Sequence, residues 1–221
     1  MKKKIISFFI VACCAMCATA AKVVWQIGVA DNSGTELALG PSEYKKFLAH
    51  DFGYEDRYFL VGTSVDKNDF PYVLPGPDDT WGGTWSTSGW RTHDANILFG
   101  IKKLPKHGKW KLVVDLVDAN PSRSVVKVMV NSAEKKFEIK GHSKGVLEGN
   151  LQDAKEQILE FPISADDLKK GGNMVTVSVL EGGWIVFDQI RLEGADELVL
   201  EKNNEYAFLR NVAPAEYEME M

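Results

Sequence analysis

Three of the six tryptophans, Trp81, Trp85 and Trp90, fall within residues 75–94, PGPDDTWGGTWSTSGWRTHD. They stand among Gly, Ser, Thr and Asp rather than among aliphatics. A ring held at a surface by such residues can stack on the apolar C–H face of a sugar. Carboxylate, guanidinium and imidazole groups beside it can bond the hydroxyl edge, as convergent polar groups do in ligand clefts. The segment supplies that set: Trp81 and Trp85 with Asp78, Asp79, Arg91, His93 and Asp94. Trp90 leads directly into a strand-like run and is expected in the core. Trp81 and Trp85 fit either a platform for a ligand or an anchor that pins the loop down.

Other chemistry finds less support. The four histidines, His50, His93, His107 and His142, show no H-E-x-x-H or comparable metal spacing. No G-x-S-x-G nucleophile elbow is present, and the Gly-rich pieces lack the Lys-Ser/Thr of a phosphate loop. A glycosidase needs two carboxylates flanking one bond. Asp78-Asp79 is the best-placed pair by neighbourhood, yet Pro-Asp-Asp also favours a solvated turn. The net charge of -5 argues against nucleic acid as a partner, since phosphates need a basic face.

The first twenty residues predict a secretory signal peptide. Lys2, Lys3 and Lys4 form a basic start, Ile5 to Cys17 an apolar stretch, and Ala18-Thr19-Ala20 a small-residue cleavage site. The apolar stretch is shorter than the roughly 20 residues a membrane span requires. Ile10-Val11-Ala12-Cys13 also resembles a lipobox, which would make Cys13 a lipidated first residue. Cys13, Cys14 and Cys17 are the only cysteines, so a chain cut after Ala20 has neither disulfide nor thiolate chemistry. A secreted or periplasmic location follows as an expectation.

The elements that must hold the tryptophan segment read as strands. The runs are Val23–Ile27, Tyr58–Val61, Ile97–Ile101, Trp110–Val117, Ser124–Val130, Ile158–Phe161, Met174–Leu180 and Trp184–Leu192. β-branched and aromatic residues dominate them, and turn clusters such as Pro105–Gly108 and Gly171–Asn173 separate them. Only Ser42–Leu48 and Ala165–Lys170 suggest helix. Many short strands with little helix predict an all-β fold: an antiparallel β-sandwich, of jelly-roll type. Trp25, Trp110 and Trp184 lie in strand runs and are expected in the core.

These runs resemble a known family. Trp25-Gln26-Ile27-Gly28, Trp90–Ile101, Val128–Asn131, Phe161–Val177 (FPISADDLKKGGNMVTV) and Val186–Glu193 (VFDQIRLE) follow one another in the family order. The family is the C-terminal carbohydrate-binding-like domain of rhamnogalacturonan lyases, of polysaccharide lyase family four. The resemblance spans most of residues 22–193 and implies a galactose-binding-like sandwich over residues 21–195, with residues 196–221 as a strand and tail. It reaches no part of the lyases' catalytic domain, so it implies no catalytic residue here. In related sandwiches the aspartate equivalent to Asp188 helps ligate a structural Ca²⁺. The resemblance thus implies Asp188 with Asp31 or Glu36 as metal ligands. The chemistry of a carboxylate inside WIVFDQIRL fits equally well an acceptor of backbone N–H groups, or a partner near Arg191.

The expectation is a non-catalytic module that binds a polysaccharide or oligosaccharide of pectic, rhamnogalacturonan type and works with a partner catalytic domain. Two alternatives stay open. One is a lyase or glycoside hydrolase in its own right; the other is a structural module packed on an enzyme.

Overall fold

A computed structural model describes residues 21–52, 57–83 and 93–201. The strands are β1 (Lys22–Gly28), β2 (Tyr58–Leu60), β3 (Val73–Leu74), β4 (Asp94–Lys103), β5 (Lys109–Ala119) and β6 (Arg123–Val130). They continue with β7 (Ala133–Lys140), β8 (Gln157–Ser164), β9 (Gly171–Glu181), β10 (Ile185–Gly194) and β11 (Val199–Glu201). One sheet runs β1-β10-β5-β8, with β3 on the end of β10; the other runs β11-β4-β9-β6-β7, with β2 beside β4. Pairing is antiparallel except between β2 and β4.

Alternation along the strands dictates this arrangement. Ile97, Phe99 and Ile101 on β4 face inward, with Val175, Val177 and Val179 on β9 and Val126, Val128 and Val130 on β6. Across from them lie Leu112, Val114 and Leu116 on β5, Leu159, Phe161 and Ile163 on β8, and Ile190 and Leu192 on β10. A period of two puts each set on one face, and two such faces must close on each other to leave water. Trp25, Trp110 and Trp184 are buried in this core, as their strand positions predicted. Trp25 packs at 5.5 Å from Phe99.

The eight predicted runs all lie in strands, with ends shifted by a few residues. The helices differ. Ser42–Leu48 becomes 3₁₀ turns at Tyr44–Lys46 and Leu48–His50. Ala165–Lys170 shortens to a 3₁₀ turn at Ala165–Asp167, where Ser164 and Asp167 form a reciprocal capping box. Among the described residues the one α-helical turn, Asp66–Asp69, and the strand β7 have no counterpart in the sequence reading. β7 is AEKKFEIK, a strand with one largely solvated face, so its charges hide its strand character. The signal peptide and Cys13, like residues 202–221, lie outside the described residues.

β1, β5, β7 and β9 finish, and β4, β6, β8 and β10 begin, at one end of the sandwich. Segments 29–52, 75–83, 120–122, 141–156 and 182–184 therefore gather there. Backbone bonds join them: Asn120 N to Trp184 O at 2.8 Å, Gly141 N to Asn120 O at 2.9 Å, and Asp78 N to Gly182 O at 3.1 Å. Gly28 makes the turn out of β1 at φ 79°, where a side chain would strike the Asp188 carbonyl.

Candidate functional site

The loop after β3 is pinned from within. Asp79 is buried, and its Oδ2 accepts the Gly76 N–H at 2.8 Å. Burial pushes its carboxyl up to about 6, with the Asp78 charge adding; hydrogen bonds from the Gly76 backbone, the Trp81 side chain and the Trp184 backbone oppose the rise. Asp78, one residue earlier, is exposed. The two carboxylates thus occupy different environments, one structural and one available to solvent. His93 is buried too, bonding Gly82 O through Nε2 and packing 5.5 Å from Phe47.

Trp81 is both anchor and surface. It lies in the 3₁₀ turn Thr80–Gly82 and is half-buried. Tyr44 meets it edge-on at 5.0 Å and 80°, and Phe47 at 6.1 Å and 84°. Tyr44 is half-buried as well, and its hydroxyl donates to Glu148 Oε1 at 3.1 Å. A T-shaped pair of this kind holds both rings at fixed angles and contributes about 0.5–1.5 kcal/mol beyond burial. Around the pair stand exposed Asp78, Thr80 and Lys45. The arrangement offers ring surface ringed by donors and acceptors, the combination that recognises an amphipathic, hydroxylated ligand. Sequence reading missed Tyr44, which lies 37 positions before Trp81 in a segment expected to be helical. Its pairing is tertiary, and the only local signal was an aromatic in a short polar stretch.

Asp94 opens β4, half-buried, and accepts a bond from Ser178 Oγ on β9. It sits in the sheet rather than in the loop. Trp85, Trp90 and Arg91 lie outside the described residues.

The acidic residues expected near a cation are arranged around the turn after β1. Asp188 Oδ1 accepts Asp31 N at 3.3 Å and Ser33 N at 3.1 Å. Asp31 Oδ1 accepts Ser33 N at 3.0 Å, Glu36 Oε1 accepts Val29 N at 2.7 Å, and Asp66 Oδ2 accepts Gly28 N at 2.8 Å. Each carboxylate therefore caps a backbone amide of residues 28–33, and Asp188 Oδ2 remains buried without a hydrogen-bond partner. Among the described residues no three His, Cys, Asp or Glu side chains are grouped to hold a metal ion. Burial raises the Asp188 carboxyl, and the Asp31 charge adds to the rise.

Asp115, on the adjacent strand, is a further buried carboxylate that sequence reading did not single out. Its Oδ1 has no hydrogen-bond partner, and its Oδ2 lies 3.7 Å from Arg191 Nη1. Burial, then Glu156 and Asp188, push it up to about 6 against the pull of Arg191. A bulge in β10 between Phe187 and Gln189 carries Asp188 to this position.

The sandwich, with an aromatic pair set in polar loops at one end, is of the carbohydrate-binding-module type. The model of the CBM-like domain III of polysaccharide lyase family 4 matches residues 23–192, most of the chain, and the protein belongs to that family. Solved structures are similar over about half of the chain. A family GH115 4-O-methyl-alpha-glucuronidase, BtGH115A, with specificity for decorated arabinogalactans, is 17% identical over 48% of this chain, with a TM-score of 0.34. The match takes in 14% of that enzyme's length. A family 35 carbohydrate-binding module from an environmental isolate is 14% identical over 50% of this chain and 71% of its own, at a TM-score of 0.33. The CBM35 of Cellvibrio japonicus Abf62 is 12% identical over the same shares, at 0.34. No curated protein matches the chain.

Proposed function

We propose that this domain is a secreted, non-catalytic module that binds pectic glycan of rhamnogalacturonan type and brings a partner catalytic domain to that substrate. Family membership supports the ligand class. The observation that carries the site is the half-buried Tyr44–Trp81 pair beside exposed Asp78. A pyranose ring stacks on the open part of Trp81, and its hydroxyls bond Asp78 and the neighbouring loop. Trp85 and Arg91 stay candidate ligand contacts on their sequence positions alone. The Lys2–Ala20 signal pattern supports export.

Native affinity electrophoresis through gels containing pectic and non-pectic polysaccharides tests this. Rhamnogalacturonan is expected to retard the wild-type chain. Trp81→Ala removes the anchor of the site, so its affinity falls about tenfold or more, as for an aromatic hot spot. Equal retardation of wild type and variant would remove Trp81 from the site. Unretarded migration of the wild type in every gel would reject glycan binding.

A further inference from the structure

A cavity of about 550 Å³ lies on the outer face of the second sheet, away from the Tyr44–Trp81 end. It runs from the middle of β4 and the start of β9 to the β6–β7 turn and the loop before β9. Leu98 and Met174, paired across β4 and β9, form its floor, and Tyr58 forms a wall. Ser132, Asp166 and Lys169 stand at its rim and are exposed. Among the described residues neither the Asp166 carboxylate nor the Lys169 ammonium has a side-chain hydrogen bond or an ion pair.

The cavity is rigidly framed. Asn131 sits at φ 53° in the two-residue β6–β7 turn, a conformation asparagine tolerates. Its Nδ2 donates to Asp167 O at 2.8 Å and to Asn173 Oδ1 at 2.9 Å, while its Oδ1 accepts Met174 N at 3.1 Å. Asn173 Nδ2 in turn donates to Lys169 O and Gly171 O, and its Oδ1 accepts Lys169 N. Every donor of both amides is used, so the network binds loop to loop and leaves the rim residues for a ligand. Such a locked frame lowers the ordering cost of binding.

We propose that this cavity is a second carbohydrate subsite, one that takes an uncharged glycosyl residue. Its volume falls within the usual range for small-molecule sites, and it combines an apolar floor with a few polar rim groups. The apolar face of a sugar ring covers Leu98, Met174 and Tyr58. Its hydroxyls accept from Lys169, donate to Asp166 and exchange a bond with Ser132. A uronic acid is disfavoured, because its carboxylate would face Asp166 and Asp167 with Lys169 as the one opposing charge. The subsite lies away from the Tyr44–Trp81 surface and uses none of its residues. Two sites on one module would engage a single polysaccharide with avidity.

The test is a ¹H–¹⁵N titration of the full chain with methyl β-galactopyranoside, methyl α-rhamnopyranoside and galacturonic acid. At least one neutral glycoside is expected to move the Ser132, Lys169 and Gly172 amides saturably. The movement persists in Trp81→Ala, which separates this subsite from the other site. In Asp166→Ala/Lys169→Ala, both exposed positions, affinity at these amides falls about fivefold or more through lost hydrogen bonds. Three results would overturn the proposal. One is that neither neutral glycoside moves these amides; another is unchanged affinity in the double variant. The third is galacturonic acid moving them as strongly as the neutral sugars.

Discussion

Asp118→Ala is expected to lower stability by about 3 kcal/mol, since a buried polar group left without its partner costs about 1–3 kcal/mol and three amides lose theirs. Asp118 is fully buried at the end of β5. Its Oδ1 accepts Ala119 N at 2.8 Å and His142 N at 2.9 Å, and its Oδ2 accepts Ser143 N at 2.9 Å. Alanine leaves three backbone amides without their acceptor. The loss reaches the binding end, because Ser143 caps the 3₁₀ turn Lys144–Glu148, and Glu148 accepts the Tyr44 hydroxyl. The variant should therefore lose glycan affinity along with stability. Asn at position 118 keeps the Oδ1 acceptor and is expected to recover about half the loss. Urea unfolding of the three proteins measures this; an Asp118→Ala cost below about 1 kcal/mol would show that the segment is held by other contacts.

The second large effect is on pH. Asp79 and Asp115 each carry a carboxyl raised to about 6, from an ordinary value near 3.8. A raised folded value means that the folded state binds the proton more tightly than the unfolded chain. The ionisation penalty is complete above about pH 6 and fades as pH falls toward 4, so acidification through this window stabilises the fold. Each group is worth about 1–3 kcal/mol at full effect. Carboxylates held low, such as Glu193 with Arg191 and Lys111, lose their contribution only below the ordinary glutamate range. The melting temperature is thus expected to rise by about 4–8 °C from pH 7.5 to pH 5. Asp115→Asn should melt higher than wild type at pH 7.5 and show about half the pH dependence. A wild-type melting temperature that falls steadily over the same interval would contradict the placement of these two buried carboxylates.

The sheet strands were legible because their apolar residues recur every second position, and two such faces have one stable way to meet. WKLVVDLV and SVVKVMV announced β5 and β6, whereas AEKKFEIK hid β7 behind charges on a solvated face. The tryptophan loop was legible as a candidate, but not which of its polar groups face water. Asp78 and Asp79 are adjacent and chemically equal in the sequence; only the turn from Gly76 sends the second inward. Tyr44 and Glu148 are 104 residues apart, and Ser33 and Asp188 are 155 apart. Contacts at such separations are written in the topology, not in any local pattern.

The most direct test of the central claim reads Trp81 itself. Its indole N–H signal, assigned by its absence in Trp81→Ala, is followed in a ¹H–¹⁵N spectrum as rhamnogalacturonan oligosaccharides are added. Saturable movement of that signal, together with the amides of Asp78 and Tyr44, is the predicted result. A Trp81 signal that stays in place while the oligosaccharide binds elsewhere, or fails to bind, would contradict the assignment of the aromatic pair as the glycan platform.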